Sequence, residues 1–216
     1  ASGASVPLCH DTVVFDANSF SAGSQTVTAD MPRLGTGIDF TGVTNSPSFA
    51  NSFNNGIYGS LTLATGISFT GRTQDITFRS RTTATFTTIG LTLGVGDIVL
   101  VMTSGGTLTL VGDLVTSAGG ALAFTSGTFD ANGYDITVPN VTSSSSNVTI
   151  VMGSGTWSLF QAGVVWTMTA GNVTPETSTI DIVDTSSTGK IFSGGGKTYN
   201  ILTVTGDNVT IQGNNT

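Results

Sequence analysis

Twelve Asp and one Glu supply the carboxylate side chains of this 216-residue chain. Two carboxylates within reach of one bond are the minimum for glycoside hydrolysis. The pairs nearest in sequence are Asp11 with Asp16, Asp130 with Asp135, and Asp181 with Asp184. Asp181 and Asp184 stand three apart in an extended segment, so strand alternation sends them to opposite faces. Asp130 and Asp135 flank Asn132-Gly133, a turn where Asp bonds its own backbone. Glu176 follows Pro175 in a loop. Turn and solvation duty is therefore expected of these groups. Asp75 and Asp97 open successive segments, Asp75-Ile76-Thr77-Phe78 and Asp97-Ile98-Val99-Leu100, so they are expected to stack. A Ca²⁺ ion between them is one reading; solvated turn caps are preferred, because no Asp-x-Asp-x-Asp-Gly loop is present.

Other chemistry is thinner. Ser193-Gly194-Gly195-Gly196-Lys197-Thr198 has the look of a phosphate loop, but the required upstream Gly position holds Ile191 and no helix is expected to follow. It reads as a Gly-rich corner. Cys9 and His10 point apart on an extended segment and have no second Cys or His to join them, so neither a zinc site nor a nucleophile is expected. Trp157, Phe160 and Trp166 would suit a sugar-stacking platform if exposed; sharing faces with Leu159 and Met168, the tryptophans are expected in the core instead. Asn140, Asn147, Asn172, Asn208 and Asn214 head Asn-x-Ser/Thr triplets, which matter only in a glycosylating secretory pathway. The best polar patch is Arg79 with Arg81, two apart on one strand face, and Arg72 a short loop away. These three are the candidate contacts for an anionic glycan or a neighbouring subunit. No catalytic, cofactor-binding or metal-ligating residue is assigned, and no cofactor is expected.

The elements that must position these groups follow from composition. Thr is 39 and Ser 24, Gly 29, Lys only 2 and charged residues 9%, a bias away from helix and toward short pleated segments with turns. The net charge of −7 excludes a phosphate-tracking nucleic-acid surface, and no apolar run is long enough for a membrane-spanning helix, so neither nucleic acid nor membrane is an expected partner. One Cys excludes an internal disulfide framework. With 38% hydrophobic residues the chain can bury a core.

From residue 60 onward, apolar–Thr/Ser–apolar pieces group in threes, such as Leu61-Thr62-Leu63, Ile67-Ser68-Phe69 and Ile76-Thr77-Phe78. The third members begin near residues 76, 98, 122, 148, 180 and 209, a ragged period of about 22 to 32 residues. Single three-strand turns cannot bury their apolar side, whereas stacked turns share a continuous interior. The expected fold is all-β, a right-handed parallel β-helix (solenoid) with about three short strands per turn. A β-sandwich is the alternative. Residues 1–56 are expected to form an irregular first turn or N-terminal cap, and residues 57–216 the solenoid. With no cap sequence after Val209-Thr210-Ile211, more chain or another subunit is expected beyond Thr216.

Several motifs carry a resemblance: Gly3-Ala4-Ser5-Val6-Pro7, Asp11-Thr12-Val13-Val14-Phe15-Asp16-Ala17-Asn18-Ser19-Phe20, and Asp39-Phe40-Thr41-Gly42-Val43-Thr44-Asn45-Ser46-Pro47. With Ile57-Tyr58-Gly59-Ser60-Leu61-Thr62-Leu63, Ile76-Thr77-Phe78, Phe129-Asp130-Ala131-Asn132-Gly133 and Thr198-Tyr199-Asn200, the chain resembles long Thr- and Gly-rich β-repeat proteins of bacteriophage virions and some bacterial surfaces. The resemblance implies a non-enzymatic, structural role in an extracellular assembly, as a virion fibre, spike or capsid-surface component at the virion surface. The implied partners are further copies of the chain or other virion subunits, and a host-surface glycan. A bacterial cell-surface carbohydrate-binding adhesin or extracellular filament subunit is the alternative, and a polysaccharide depolymerase comes third.

Overall fold

The computed structural model describes residue 8 and residues 10–69, 74–94, 96–103 and 105–216, and among these every regular element is a strand. Alternation makes them so. In Ala84-Thr85-Phe86-Thr87 and Val148-Thr149-Ile150-Val151 each inward residue is buried and each outward one half-buried. β-branched Thr suits the outer pleated surface, where it packs against its copies above and below.

The strands wind into turns. β1 (Thr12–Val14) and β2 (Thr26–Ala29) make the first turn, and β3 (Gly37–Asp39), β4 (Ser48–Asn51) and β5 (Asn55–Ile57) the second. β6 (Ser60–Thr62) and β7 (Ile76–Phe78) form the third, with Ser68 bridging to Ser48 between them. β8 (Ala84–Thr87), β9 (Thr92–Leu93) and β10 (Ile98–Val101) form the fourth. β11 (Thr107–Val111), β12 (Leu114–Thr116) and the first half of β13 (Leu122–Asp130) complete the fifth. The second half of β13 starts the sixth, with β14 (Ile136–Val138) and β15 (Val141–Ser143). β16 (Val148–Val151), β17 (Thr156–Leu159) and β18 (Gly163–Met168) are the seventh, and β19 (Asn172–Thr174), β20 (Thr179–Ile182) and β21 (Lys190–Ser193) the eighth. β22 (Ile201–Val204) and β23 (Val209–Gln212) belong to the last of about 9 turns.

Each strand pairs in parallel with its counterpart one turn away, giving three long faces. The chain is therefore a parallel β-solenoid, and with no antiparallel pair among the described strands the sandwich alternative falls. Register partners lie from 19 residues apart, at Leu122 and Val141, to 27 apart, at Gly163 and Lys190. That spread is narrower than the sequence rhythm suggests. Val141-Thr142-Ser143 and Asn172-Val173-Thr174 each show a single apolar residue, yet both are strands, β15 and β19. Passing over them shifts the phase, so Val148–Val151 and Thr179–Ile182 lie on the first and second faces and not the third. Residues 12–57 form two turns paired in register with the rest of the stack.

β13 turns a corner without a break. Its first half pairs with β10 and β15 on the third face, its second half with β11 and β16 on the first. The hinge is Gly127, at φ 94°, where a Cβ would come within 2.3 Å of the Met102 Cβ. Only Gly accepts both the left-handed backbone and the contact.

The core is the lumen. Aromatic rings touch from turn to turn and within one: Phe15 stacks on Phe40 at 4.8 Å, Phe129 meets Trp157 edge-on at 6.0 Å and Trp166 stacks on Phe192 at 5.8 Å, while inside the seventh turn Trp157 meets Trp166 at 5.8 Å. Both tryptophans are fully buried, as their strand frames require. Each such pair adds about 0.5–1.5 kcal/mol beyond the area it buries. The column ends at Tyr199, whose hydroxyl accepts from Trp166 Nε1 at 3.0 Å and donates to the Gly194 carbonyl at 2.9 Å.

Two predictions follow from the lumen. The Thr116 hydroxyl is buried without a hydrogen-bond partner among the described residues, so Thr116→Val, which keeps the shape, is expected to raise stability by about 1 kcal/mol in urea or thermal unfolding. Burial pushes the Tyr199 phenol up to about 12, against the lowering effect of the Trp166 bond. The neutral phenol therefore favours the fold fully below the ordinary value of 10.0, and this contribution is lost as pH rises from there through about 12. Tyr199→Phe is expected to flatten that alkaline limb in melting curves. At neutral pH it costs about 1–3 kcal/mol, because Trp166 Nε1 loses its acceptor.

Candidate functional site

Most carboxylates that could do chemistry are tied to backbone. Asp75 Oδ1 accepts the Asp97 N–H at 2.9 Å and Asp97 Oδ1 accepts the Ala121 N–H at 2.7 Å, so the expected stack exists, and each acid caps the turn above it. Asn54 starts this row by exchanging two hydrogen bonds with Asp75, at 2.8 and 3.0 Å. A second row runs from Asp113 Oδ1 to the Asp135 N–H at 3.1 Å, and from Asp135 Oδ1 to the Thr156 N–H at 2.7 Å. Asp130 instead closes its own turn on the Asn132 N–H, so the pair Asp130 and Asp135 has separate duties.

Asp181 and Asp184 are likewise divided. Asp181 binds the Thr205 hydroxyl at 3.0 Å; Asp184 accepts the Ser186 N–H and faces Lys190 Nζ at 3.4 Å. Lys190 is fully buried, and its ammonium also donates to the Ser186 carbonyl. The Ser186 bonds, aided by Lys190, hold the Asp184 carboxyl below its usual range. Asp11 accepts the Leu8 N–H at 2.8 Å, and Asp16 caps Asn18 and Ser19. Glu176 is exposed in a loop at φ 48°.

Among the described residues no three His, Cys, Asp or Glu side chains gather where a metal ion would fit. His10 is exposed and 3.6 Å from Asp11; Cys9 lies outside the described residues. The Gly194–Gly196 corner leads into strand β22, and the Gly196 N–H is already held by Asn215 Oδ1 at 3.2 Å.

The arginines behave differently. Arg72 lies outside the described residues. Arg79 and Arg81 are both exposed and flank buried Ser80, as a shared outward side requires. Arg79 lines a depression of about 530 Å³ on the outer third face, and Arg81 does not. Its partner there is Arg33, which lies outside the Arg72, Arg79 and Arg81 patch. The signal for Arg33 was hidden because residues 1–56 read as an irregular first turn or cap, with no register to place Arg33; it bridges in parallel to Gly56 and so begins the third face.

The floor is built by the ladder. Gly56 N–H donates to the Pro32 carbonyl at 2.7 Å, Leu34 N–H to Gly56 at 2.9 Å, and Arg79 N–H to Ile57 at 2.7 Å. With no side chain on Gly56, Arg79 folds back over it: a Cβ there would lie 3.3 Å from Arg79 Cδ. Arg33 lies over the Tyr58 ring, 5.9 Å from its centroid. Two guanidiniums from turns one and three thus converge on the middle turn.

Fold and site together define a parallel β-solenoid with a small cationic depression on one face. The chain matches no protein-family model, and no curated protein or solved structure matches it.

The acid row is testable. Asp97→Ala is expected to cost about 1–3 kcal/mol in thermal unfolding, because the Ala121 N–H loses its acceptor, while Asp97→Asn, which keeps an acceptor oxygen, should recover most of it. Adding Ca²⁺ is expected to leave the melting temperature of both unchanged.

Proposed function

We propose that the chain is a non-catalytic structural rod of an extracellular assembly, of the kind formed by bacteriophage fibres, spikes and capsid-surface components. The observation that carries this reading is the use of its acids. Asp75, Asp97, Asp113, Asp135 and Asp181 all serve to bond one turn to the next, so they strengthen the stack and are held away from substrate chemistry. The lumen is filled by aromatic and aliphatic side chains, which makes the turns one rigid body and suits a load-bearing role. Outward Thr rows and a net charge of −7 keep such a rod hydrated.

The resemblance to Thr/Gly-rich repeat proteins supports a place at a virion surface, with further copies or other particle subunits as partners. Immunogold electron microscopy of the source particles, with antibody raised to this chain, tests the proposal. Gold on fibres or the particle surface is the expected result. Recovery of the protein only as an isolated soluble monomer in the cytosol would contradict it.

A further inference from the structure

We infer that the depression over Gly56 is a binding site for a carboxylate-bearing sugar, such as a hexuronate unit of an acidic polysaccharide, with Arg33 and Arg79 holding the carboxylate. The argument starts from charge. The chain has six cationic side chains in a net charge of −7, and two of them line this one depression. Among the described residues neither guanidinium has a carboxylate within ion-pair distance. Asp75 shares the depression and offsets one of the two arginines, leaving an excess of one cationic side chain; one of its oxygens accepts the Asp97 N–H and the other the Asn54 amide. Asn54 is engaged in return by its own oxygen.

The unfilled hydrogen-bonding capacity of the depression is mostly donor capacity, five N–H per guanidinium in a planar fork. Such a fork matches a carboxylate in bidentate geometry. Arg33 is steadied by stacking on Tyr58 and Arg79 by lying across Gly56, so both forks lose little freedom on binding.

The floor decides between a sugar and an acidic peptide. A peptide gains affinity by adding main-chain bonds to a sheet edge. Here the floor is mid-sheet at Gly56, Thr77 and Val99, successive register partners whose backbone is committed to the ladder, while Arg33 begins the face. An extended peptide laid over this floor would find nothing to pair with. A pyranose needs no such edge, and the outward, half-buried Val99 and Val101 offer apolar surface to its C–H face.

The test is calorimetric titration of the whole chain with trigalacturonate, with maltotriose as the neutral sugar and acetate as the free carboxylate. Trigalacturonate is expected to bind with a dissociation constant of about 1 mM or tighter, weakening as salt is raised. Maltotriose and acetate are each expected to bind at least about tenfold more weakly. Arg33→Gln and Arg79→Gln should each lose about tenfold or more, Arg79→Lys should lose affinity too because it lacks the fork, and Arg81→Gln should lose none. All three positions are exposed, and unchanged melting temperatures establish that the variants fold. Binding of maltotriose as tight as that of trigalacturonate, or full affinity in the two Gln variants, overturns the proposal. Acetate binding as tightly as trigalacturonate overturns the sugar and leaves a small-carboxylate site.

Discussion

Everything in this molecule depends on hydrogen bonding from one turn to the next. Between strands the backbone ladder is interrupted by corners, where N–H and C=O groups would otherwise face the next layer unpaired. Two kinds of side chain repair this. Asp carboxylates accept N–H groups from the following turn, as at Asp75, Asp97 and Asp135. Asn amides donate to carbonyls of the preceding turn: Asn45 to Phe20, Asn55 to Met31, Asn132 to Leu110, Asn200 to Ser178 and Asn208 to Ser187. The short polar side chains punctuating the sequence are thus the continuation of the sheets by other atoms. This explains how a chain with thirteen acids and six bases tolerates its charge: most of the acids are stabilised by amide dipoles, and few need a counter-ion.

The lumen adds the apolar half of the account. It is narrow enough that each turn contributes a few inward residues, and aromatic rings bridge layers that the ladder already holds in register. A buried charge is admitted at one corner only among the described residues, where Lys190 is answered by the Asp184 carboxylate and the Ser186 carbonyl. The same regularity creates the cationic depression. A Gly at one register position lets an Arg from the next turn lie across the gap, and an Arg from the turn before stands beside it.

Much of the fold was legible because apolar–Thr–apolar triplets report strand alternation directly, and Ile76–Phe78, Ile98–Val101 and Leu122–Phe124 lie on the third face as their rhythm requires. The phase was lost where alternation was weak. Val141-Thr142-Ser143 directs Ser143 inward, and it is buried all the same, so a hydrophobicity pattern passes over a strand that the neighbouring ladders dictate. Stacking of Asp75 with Asp97 could be read from their shared place before Ile. Their direct bonding to the next turn could not, since it depends on an N–H contributed more than twenty residues later. Arg79 was visible as a candidate, but its partner Arg33 was not. The two are joined through Gly56 by register alone, and no local signal marks a register between residues in three different turns.

The central claim is that chain distance converts to height in equal steps. On the second face Thr92, Val115, Thr137, Ser158, Asp181 and Thr203 are successive register partners with outward side chains. Spin labels placed pairwise at Thr92 with Thr203 and at Val115 with Thr203 measure this by electron–electron dipolar spectroscopy. Five and four strand spacings predict backbone separations of ~24 and ~19 Å, differing by one spacing of ~4.8 Å. Separations that are equal, inverted, or differ by much more than one strand spacing would contradict the solenoid.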